Sequence, residues 1–286
     1  MKILVTGYEG MLGRTVMRRL GGDHVLVGVD LADGDLTDPV AVRDIFSRTE
    51  PQWVVHCAAW TDVDGAETSR DEAMAANAGA TANLAGECDT SGAGLCFIST
   101  DYVFDGKGDG FAEEDRRNPI NHYGLTKARA EEHVAAMTAP WQIVRTSWLF
   151  GDGRTNFVKT IKGLLAAQDT LRVVDDQRGS PTSAEDLADI IGFLVSGRFR
   201  GIFHGTNAGQ TTWFGLAREI ARVCGTDPER IKPCPSSEYP RAAARPECSI
   251  LHSSHLEKIG CPDRPPWETA VAAYLRFLDS GQAVFP

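Results

Sequence analysis

Runs of basic residues are missing from this chain: 29 lysines and arginines are scattered among 39 aspartates and glutamates, and the formal net charge is -10. Gripping a phosphodiester backbone takes a stripe of cations, so a nucleic-acid partner is not expected. Long apolar stretches are missing too, and none approaches the roughly 18 residues that would cross a bilayer. Met1 leads within two residues into a strand rather than into the charged and apolar regions of a signal peptide. Neither a membrane partner nor secretion is expected. The seven cysteines (Cys57, Cys88, Cys96, Cys224, Cys234, Cys248 and Cys261) are odd in number and never in CxxC spacing. That argues against a disulfide framework and a zinc site, and points to the reducing cytoplasm. Asp105 to Gly110 opens like a calcium loop, but Lys107 holds its third position and Arg116 its twelfth. His252 and His255 stand without a further ligand in motif spacing, so no metal is expected. No internal repeat is present.

What is present is an alternation. Lys2 to Thr6, His24 to Asp30, Trp53 to Ala58, Leu95 to Thr100 and Trp141 to Arg145 read as short strands rich in β-branched residues. Helical stretches separate them, the clearest being Pro39 to Arg48, where Asp38 can cap the free N–H groups and proline sits in the first turn. Such a βαβ series predicts an α/β fold, a Rossmann-type doubly wound parallel sheet. After Arg145 the pattern loosens into helices at Asn156 to Ala167, Ala184 to Val195, Thr212 to Val223 and Trp267 to Leu278. A length of 286 residues accommodates a second, smaller C-terminal α/β substrate domain. The expected division is 1–145 plus about 183–206 for the dinucleotide-binding domain, and about 146–182 plus 207–286 for the substrate domain. Asp105 opens a polar loop that runs to Asn118 and is read as mobile.

The first strand runs into Gly7-Tyr8-Glu9-Gly10-Met11-Leu12-Gly13 and then into a helix from Arg14 to Leu20. In a dinucleotide site the first glycine makes the tight turn, the second lets a pyrophosphate approach the backbone, and the third lets helix and strand touch. The helix N-terminus then faces the phosphate charge. Neither GKS nor GKT follows, which excludes a P-loop. Asp30 ends the second strand twenty residues after Gly10, where a carboxylate accepts from ribose hydroxyls and favours NADH. Arg14 is the counter-signal, since a cation there suits the 2'-phosphate of NADPH. Either NADH or NADPH is therefore expected. Ala59 and Thr61, after the third strand, are further cofactor contacts.

Tyr123 and Lys127 are four residues apart, so on a helix they share a face. Reducing a ketone takes a hydride and a proton; a phenol of reference pKa near 10 becomes a useful acid when a neighbouring ammonium tunes it. The same ammonium can hold the nicotinamide ribose. The strand ending at Ser99-Thr100-Asp101 brings hydroxyls and a carboxylate to the carboxyl edge of the sheet, where Thr100 can hydrogen-bond a substrate carbonyl.

These residues, with AAWTDVDGAE at Ala58 to Glu67, STDYVFDG at Ser99 to Gly106, YGLTK at Tyr123 to Lys127, RTSW at Arg145 to Trp148, DDQRGSPT at Asp175 to Thr182, TTW at Thr211 to Trp213 and ARP at Ala244 to Pro246, give the chain its likeness. It resembles the dTDP-4-dehydrorhamnose reductases, a branch of the extended short-chain dehydrogenase/reductase family, over nearly its whole length. The resemblance implies reduction of the C4 ketone of a dTDP-4-dehydro-6-deoxy-L-sugar to dTDP-L-rhamnose, with Thr100, Tyr123 and Lys127 catalytic. It implies cofactor contacts at Gly10, Met11, Leu12, Asp30, Asp35, Leu36, Ala59, Thr61, Tyr123 and Lys127, besides Gly7 and Gly13. Thr100, Asp101 and Trp148 would touch the sugar nucleotide, joined by Gln177 and Arg245. Some members hold Mg2+ with glutamates at a dimer contact; Glu185 matches one, while Thr15 and Phe277 stand in the places of others, which leaves the chain a monomer or a homodimer. Two rival readings are a reductase of another dTDP-4-keto-6-deoxysugar and a regulatory subunit like the beta subunit of methionine adenosyltransferase. The joint presence of Thr100, Tyr123 and Lys127 favours an enzyme.

Overall fold

The computed structural model describes residues 1–153 and 155–281; residues 154 and 282–286 of the expected substrate domain lie outside the described residues. Six strands, Lys2–Thr6 (β1), Val25–Val29 (β2), Trp53–His56 (β3), Gly94–Thr100 (β4), Trp141–Thr146 (β5) and Gly201–His204 (β6), lie side by side in the order β6-β5-β4-β3-β1-β2, every pair parallel. A parallel sheet is covered on both faces, which is why the strands read as runs such as Ile3-Leu4-Val5 and Val54-Val55, all buried. The sixth strand joins the five expected ones; four residues are too few to display an alternation of period two. Because β1 pairs with β2 on one side and β3 on the other, the winding reverses at the carboxyl end of β1. That switch point is where open α/β sheets leave a crevice for ligands.

Helices Met11–Leu20 (α1), Pro39–Thr49 (α2), Ala80–Ser91 (α3), His122–Ala135 (α4), Phe157–Ala167 (α5), Ala184–Gly197 (α6), Trp213–Val223 (α7) and Trp267–Ser280 (α8) complete the frame. One apolar cluster joins α1 and α6 to one face of the sheet through Val16, Leu20, Leu187 and Ile191. Another joins α2, α3 and α4 to the opposite face through Ile45, Leu84 and Val134. The expected starts at Asn156 and Thr212 are each one residue early. Both residues have extended backbone, and their side chains accept from Lys159 N and Gly215 N as N-caps. Asp38 does the same for α2, accepting from Val40 N at 2.8 Å.

A separate cluster, with Phe150, Val158, Ile161, Leu216, Ile220, Trp267, Val271 and Tyr274, gathers α5, α7 and α8. Helix α6 and strand β6 interrupt that stretch and return to the large sheet. The polar stretch read as a mobile loop is anchored. Asp105 accepts from Lys107 N and Asn118, Phe111 stacks on Phe104 at 4.3 Å, and Phe111 bridges to Leu251. No helix among the described residues is long and apolar enough to cross a membrane.

Candidate active site

The turn after β1 is built by glycine. Gly7 has φ +69, and a Cβ there would stand 2.6 Å from Ala58 N, so the turn presses against the segment leaving β3. A Cβ on Gly13 would come within 2.1 Å of Gly7 O, which is what brings α1 hard against the turn. Helix α1 starts at Met11 with no side-chain cap and no acidic residue in its first turn. Its first N–H groups and the positive end of its dipole are therefore available to an anion, as a pyrophosphate requires. These features fit a dinucleotide. At the end of β2, Asp30 accepts from Glu9 N at 3.1 Å and Leu31 N at 3.0 Å, and this fixes its carboxylate beside the glycine turn. Arg14 is exposed and donates Nε to Glu9 O at 2.8 Å. Asp35 caps its own turn by accepting from Thr37 N and Oγ1, and Leu36 O accepts from Asn83 Nδ2. Ala59 is half-buried and Thr61 exposed; Trp60 between them is pinned by Asn77, whose Oδ1 accepts from Trp60 N at 2.8 Å.

Strand β4 ends in Thr100 and turns sharply. Thr100 Oγ1 donates to Asp101 Oδ1 at 2.9 Å and accepts from Tyr102 N at 3.2 Å. Asp101 is buried; burial pushes its carboxyl up to about 7, against the opposing hydrogen bond from Thr100. Its Oδ2 has no hydrogen-bond partner among the described residues. Helix α4 begins directly against this turn, because a Cβ on Gly124 would lie 2.1 Å from Tyr102 O. Asn121 caps it by accepting from Gly124 N at 2.8 Å. Tyr123 is thereby set edge-on to Tyr102, ring centroids 5.9 Å apart. One turn on, Lys127 Nζ donates to Ile98 O at 2.6 Å and lies 4.1 Å from the Phe97 ring centroid.

The electrostatics depart from the expected tuning by Lys127. Burial and then the Asp101 charge push the Tyr123 phenol above its ordinary range, while a hydrogen bond with Thr100 acts in the opposite direction. Lys127 is itself pulled down to about 7 by burial, with Glu131 opposing. At neutral pH Tyr123 is thus a protonated phenol, the form that donates a proton.

The segment that follows β5 is held in an aromatic stack. Trp148 has φ +47 and stacks on Trp213, which donates Nε1 to Gln177 Oε1 at 3.2 Å. Residues 1–280 match the family described as the RmlD substrate binding domain. The chain belongs to that family. A dTDP-4-dehydrorhamnose reductase of Streptomyces griseus is 42% identical over 94% of this chain and 91% of its own length. A dTDP-4-keto-6-deoxy-D-glucose reductase of Streptomyces niveus is 38% identical over 98% of both chains. Among solved structures, a dTDP-4-dehydrorhamnose reductase of Bacillus anthracis in complex with NADP is 34% identical, with a TM-score of 0.93 over 96% of this chain and 99% of its own.

In this RmlD-family member the other expected positions are engaged as follows. Arg245 pairs with Asp64 through Nη1 and Nη2 at 3.1 and 3.0 Å, so its guanidinium is spent on a carboxylate of the large-sheet lobe. Glu185 forms an ion pair with Arg18, Thr15 bonds back to Met11 O, and Phe277 is buried. Among the described residues, Glu113, Glu114 and His255 bring ligand-type atoms within 4.8 Å of one another. Ser254 and His255 N occupy the Glu113 carboxylate, and Glu114 takes His255 Nε2 at 2.6 Å. Three residues near the site escaped the sequence reading: Trp213, Asn77 and Glu131. Trp213 stood inside a matched motif without an assigned role; Asn77 carries no spacing signal, its partners being 17 to 49 residues away, while Glu131 stands four residues after Lys127 but finds its hydrogen-bond partners 14 to 32 residues away.

Proposed function

We propose that this chain is an NAD(P)H-dependent reductase of the C4 ketone of dTDP-4-dehydro-6-deoxy-L-mannose, yielding dTDP-L-rhamnose. The observation that carries the reading is the abutment of α4 on the Thr100-Asp101-Tyr102 turn, which sets a protonated Tyr123 beside Thr100 at the mouth of a dinucleotide crevice. Residues 1–145 with about 183–206 form the dinucleotide-binding domain, and about 146–182 with 207–286 the sugar-nucleotide domain. Gly7, Gly10, Met11, Leu12 and Gly13 receive the pyrophosphate, Asp30, Asp35 and Leu36 the adenosine end, and Ala59, Thr61, Tyr123 and Lys127 the nicotinamide end. Bound there, the reduced nicotinamide supplies the hydride. Thr100 turns its hydroxyl proton from Asp101 to the ketone oxygen and polarises it. Tyr123 then passes its hydroxyl proton to that oxygen as negative charge develops on it, which completes the alcohol. Lys127 places a charge that favours the resulting tyrosinate. Asp101, Trp148 and Gln177 orient the sugar nucleotide, and Arg245 contributes only if substrate draws it from Asp64.

A second reading has a specific observation behind it: the Streptomyces niveus relative, matched end to end, is named for a different 4-keto-6-deoxysugar. The reduction is the same, with another stereochemistry around the ring. The test is loss of nicotinamide absorbance with each enzymatically generated dTDP-4-keto-6-deoxysugar, in parallel with Tyr123→Phe. Turnover with the L-sugar that disappears in the variant supports the first reading. Turnover with another keto sugar alone moves the chain to the second, and equal turnover by Tyr123→Phe removes Tyr123 as the proton donor.

A further inference from the structure

A buried ion cluster lies beneath the helix that carries Tyr123 and Lys127. Glu131 stands four residues beyond Lys127 on α4, on the same face, and is 1% exposed. Its Oε1 accepts from Ser99 Oγ at 2.6 Å and Arg145 Nε at 2.9 Å; its Oε2 accepts from Arg145 Nη2 at 2.7 Å and Arg117 Nη1 at 3.3 Å. Ser99 directly precedes Thr100, and Ser99 pairs with Arg145 in the β4–β5 register. One carboxylate therefore ties α4 to both strands at the level of the site. A buried ion pair is weak evidence for stability, since apolar side chains of the same volume would hold these elements together as well. What apolar residues would not supply is directional register and a negative charge on the Lys127 face.

We propose that Glu131 is a positioning residue for the reduction: it holds α4 in register with Thr100, and its negative charge favours the ammonium form of Lys127. The inference rests on the reading of Tyr123 and Lys127 given above. Of the groups around Lys127, Glu131 is the carboxylate whose charge raises its pKa, acting through space from one turn along α4. From β3 and the residue after it come His56, held neutral with its pKa lowered to about 3, and the Cys57 thiol, pushed up to about 12. From β4 come the Ile98 carbonyl and the Phe97 ring. From its own helix comes the Tyr123 phenol, protonated at neutral pH. Arg117 and Arg145 share the Glu131 carboxylate.

The test is the ionisation of Lys127 itself, followed by NMR of protein labelled at the lysine ε-carbon, with Lys127→Arg identifying the resonance. In Glu131→Gln the midpoint should fall by about one unit, tenfold in its acid constant, and the alkaline limb of kcat should move with it; Glu131→Asp should recover most of the shift. Ser99→Ala severs the strand tether while leaving the charge, and should lower kcat several-fold with the Lys127 midpoint unmoved. A folded Glu131→Gln with an unchanged midpoint overturns the counter-charge, and an unchanged kcat in Ser99→Ala overturns the register. Where Glu131→Gln does not fold, Ser99→Ala decides the register, and the charge is read from Glu131→Asp, whose withdrawn carboxylate should leave a small fall in the Lys127 midpoint; no fall overturns the counter-charge. The NMR titration needs no sugar, so a parent enzyme that shows the shift but reduces no keto sugar sinks the proposed activity and not this inference.

Discussion

Trp148 and Trp213 lie with ring centroids 3.5 Å apart and planes 7° from parallel, and this stack ties the segment after β5 to helix α7 within the second lobe. A Cβ on Gly179 would stand 2.4 Å from the Trp148 ring, so the indole is closed in by a bare backbone as well as by Trp213. Trp148 also adopts φ +47, a conformation that costs a bulky residue on the order of 1 kcal/mol and persists only where the surroundings enforce it.

Removing the stack should release that constraint. Trp213→Ala is expected to raise KM for the dTDP-sugar about tenfold, roughly 1.4 kcal/mol, while KM for the nicotinamide cofactor stays put. Steady-state kinetics with each substrate varied in turn checks this. A sugar KM equal to the parent's would take Trp148 out of the sugar site.

Asp30 is pinned beside the glycine turn by Glu9 N and Leu31 N. A fixed carboxylate there accepts from ribose hydroxyls and repels a 2'-phosphate. Asp30→Ala should move the ratio of kcat/KM for NADPH over NADH upward about tenfold, near 1.4 kcal/mol, with the exposed Arg14 free to meet the phosphate. A parent that already prefers NADPH strongly contradicts this role for Asp30.

Gly13 admits no side chain. Its Cβ would lie 2.1 Å from Gly7 O, a backbone atom that cannot rotate away. Gly13→Ala should therefore push α1 off the turn, weaken dinucleotide binding by at least tenfold, about 1.4 kcal/mol, and lower the melting temperature. Calorimetric titration with NADPH reads the first effect and thermal denaturation the second; a variant matching the parent in both would refute the close approach.

His56 is 1% exposed, with Thr6 Oγ1 at 2.6 Å from Nδ1 and Thr81 Oγ1 at 3.2 Å from Nε2. Burial lowers its pKa to about 3, and the Lys127 charge adds to the effect. Since the folded-state pKa lies below the unfolded value near 6.5, the unfolded chain binds the proton first. The contribution is present in full above pH about 6.5 and is lost as pH falls toward the folded value, about 1.4 kcal/mol per unit over that window. Urea midpoints measured from pH 7.5 down to 5 should fall, as an order-of-magnitude guide by this slope, and His56→Gln should flatten part of the fall. An equal slope in parent and variant would mean that His56 titrates normally.

Local signals in the sequence were enough for five strands of the large sheet, the glycine turn, the Asp38 cap and the Tyr123–Lys127 spacing, because each of these is decided within a few residues by backbone sterics, helix periodicity or a neighbouring donor. They were not enough for what converges from far along the chain. Arg245 read as a free cation for a diphosphate, yet Asp64, 181 residues away in sequence, takes it. The spacing of Tyr123 to the lysine on its own helix says nothing of burial and of Asp101, just past the end of β4, which raise the phenol.

Composition, period and spacing determined by themselves that this chain would wind a parallel α/β sheet and present a phenol and an ammonium on one helical face. Only the tertiary structure decided which carboxylates stand beside those groups, that Trp213 closes on Trp148, and that Glu131 joins α4 to two strands. Periodicity reports which face of an element is apolar, whereas charges and ring contacts act through space and depend on which distant segments the packed core brings within a few ångströms.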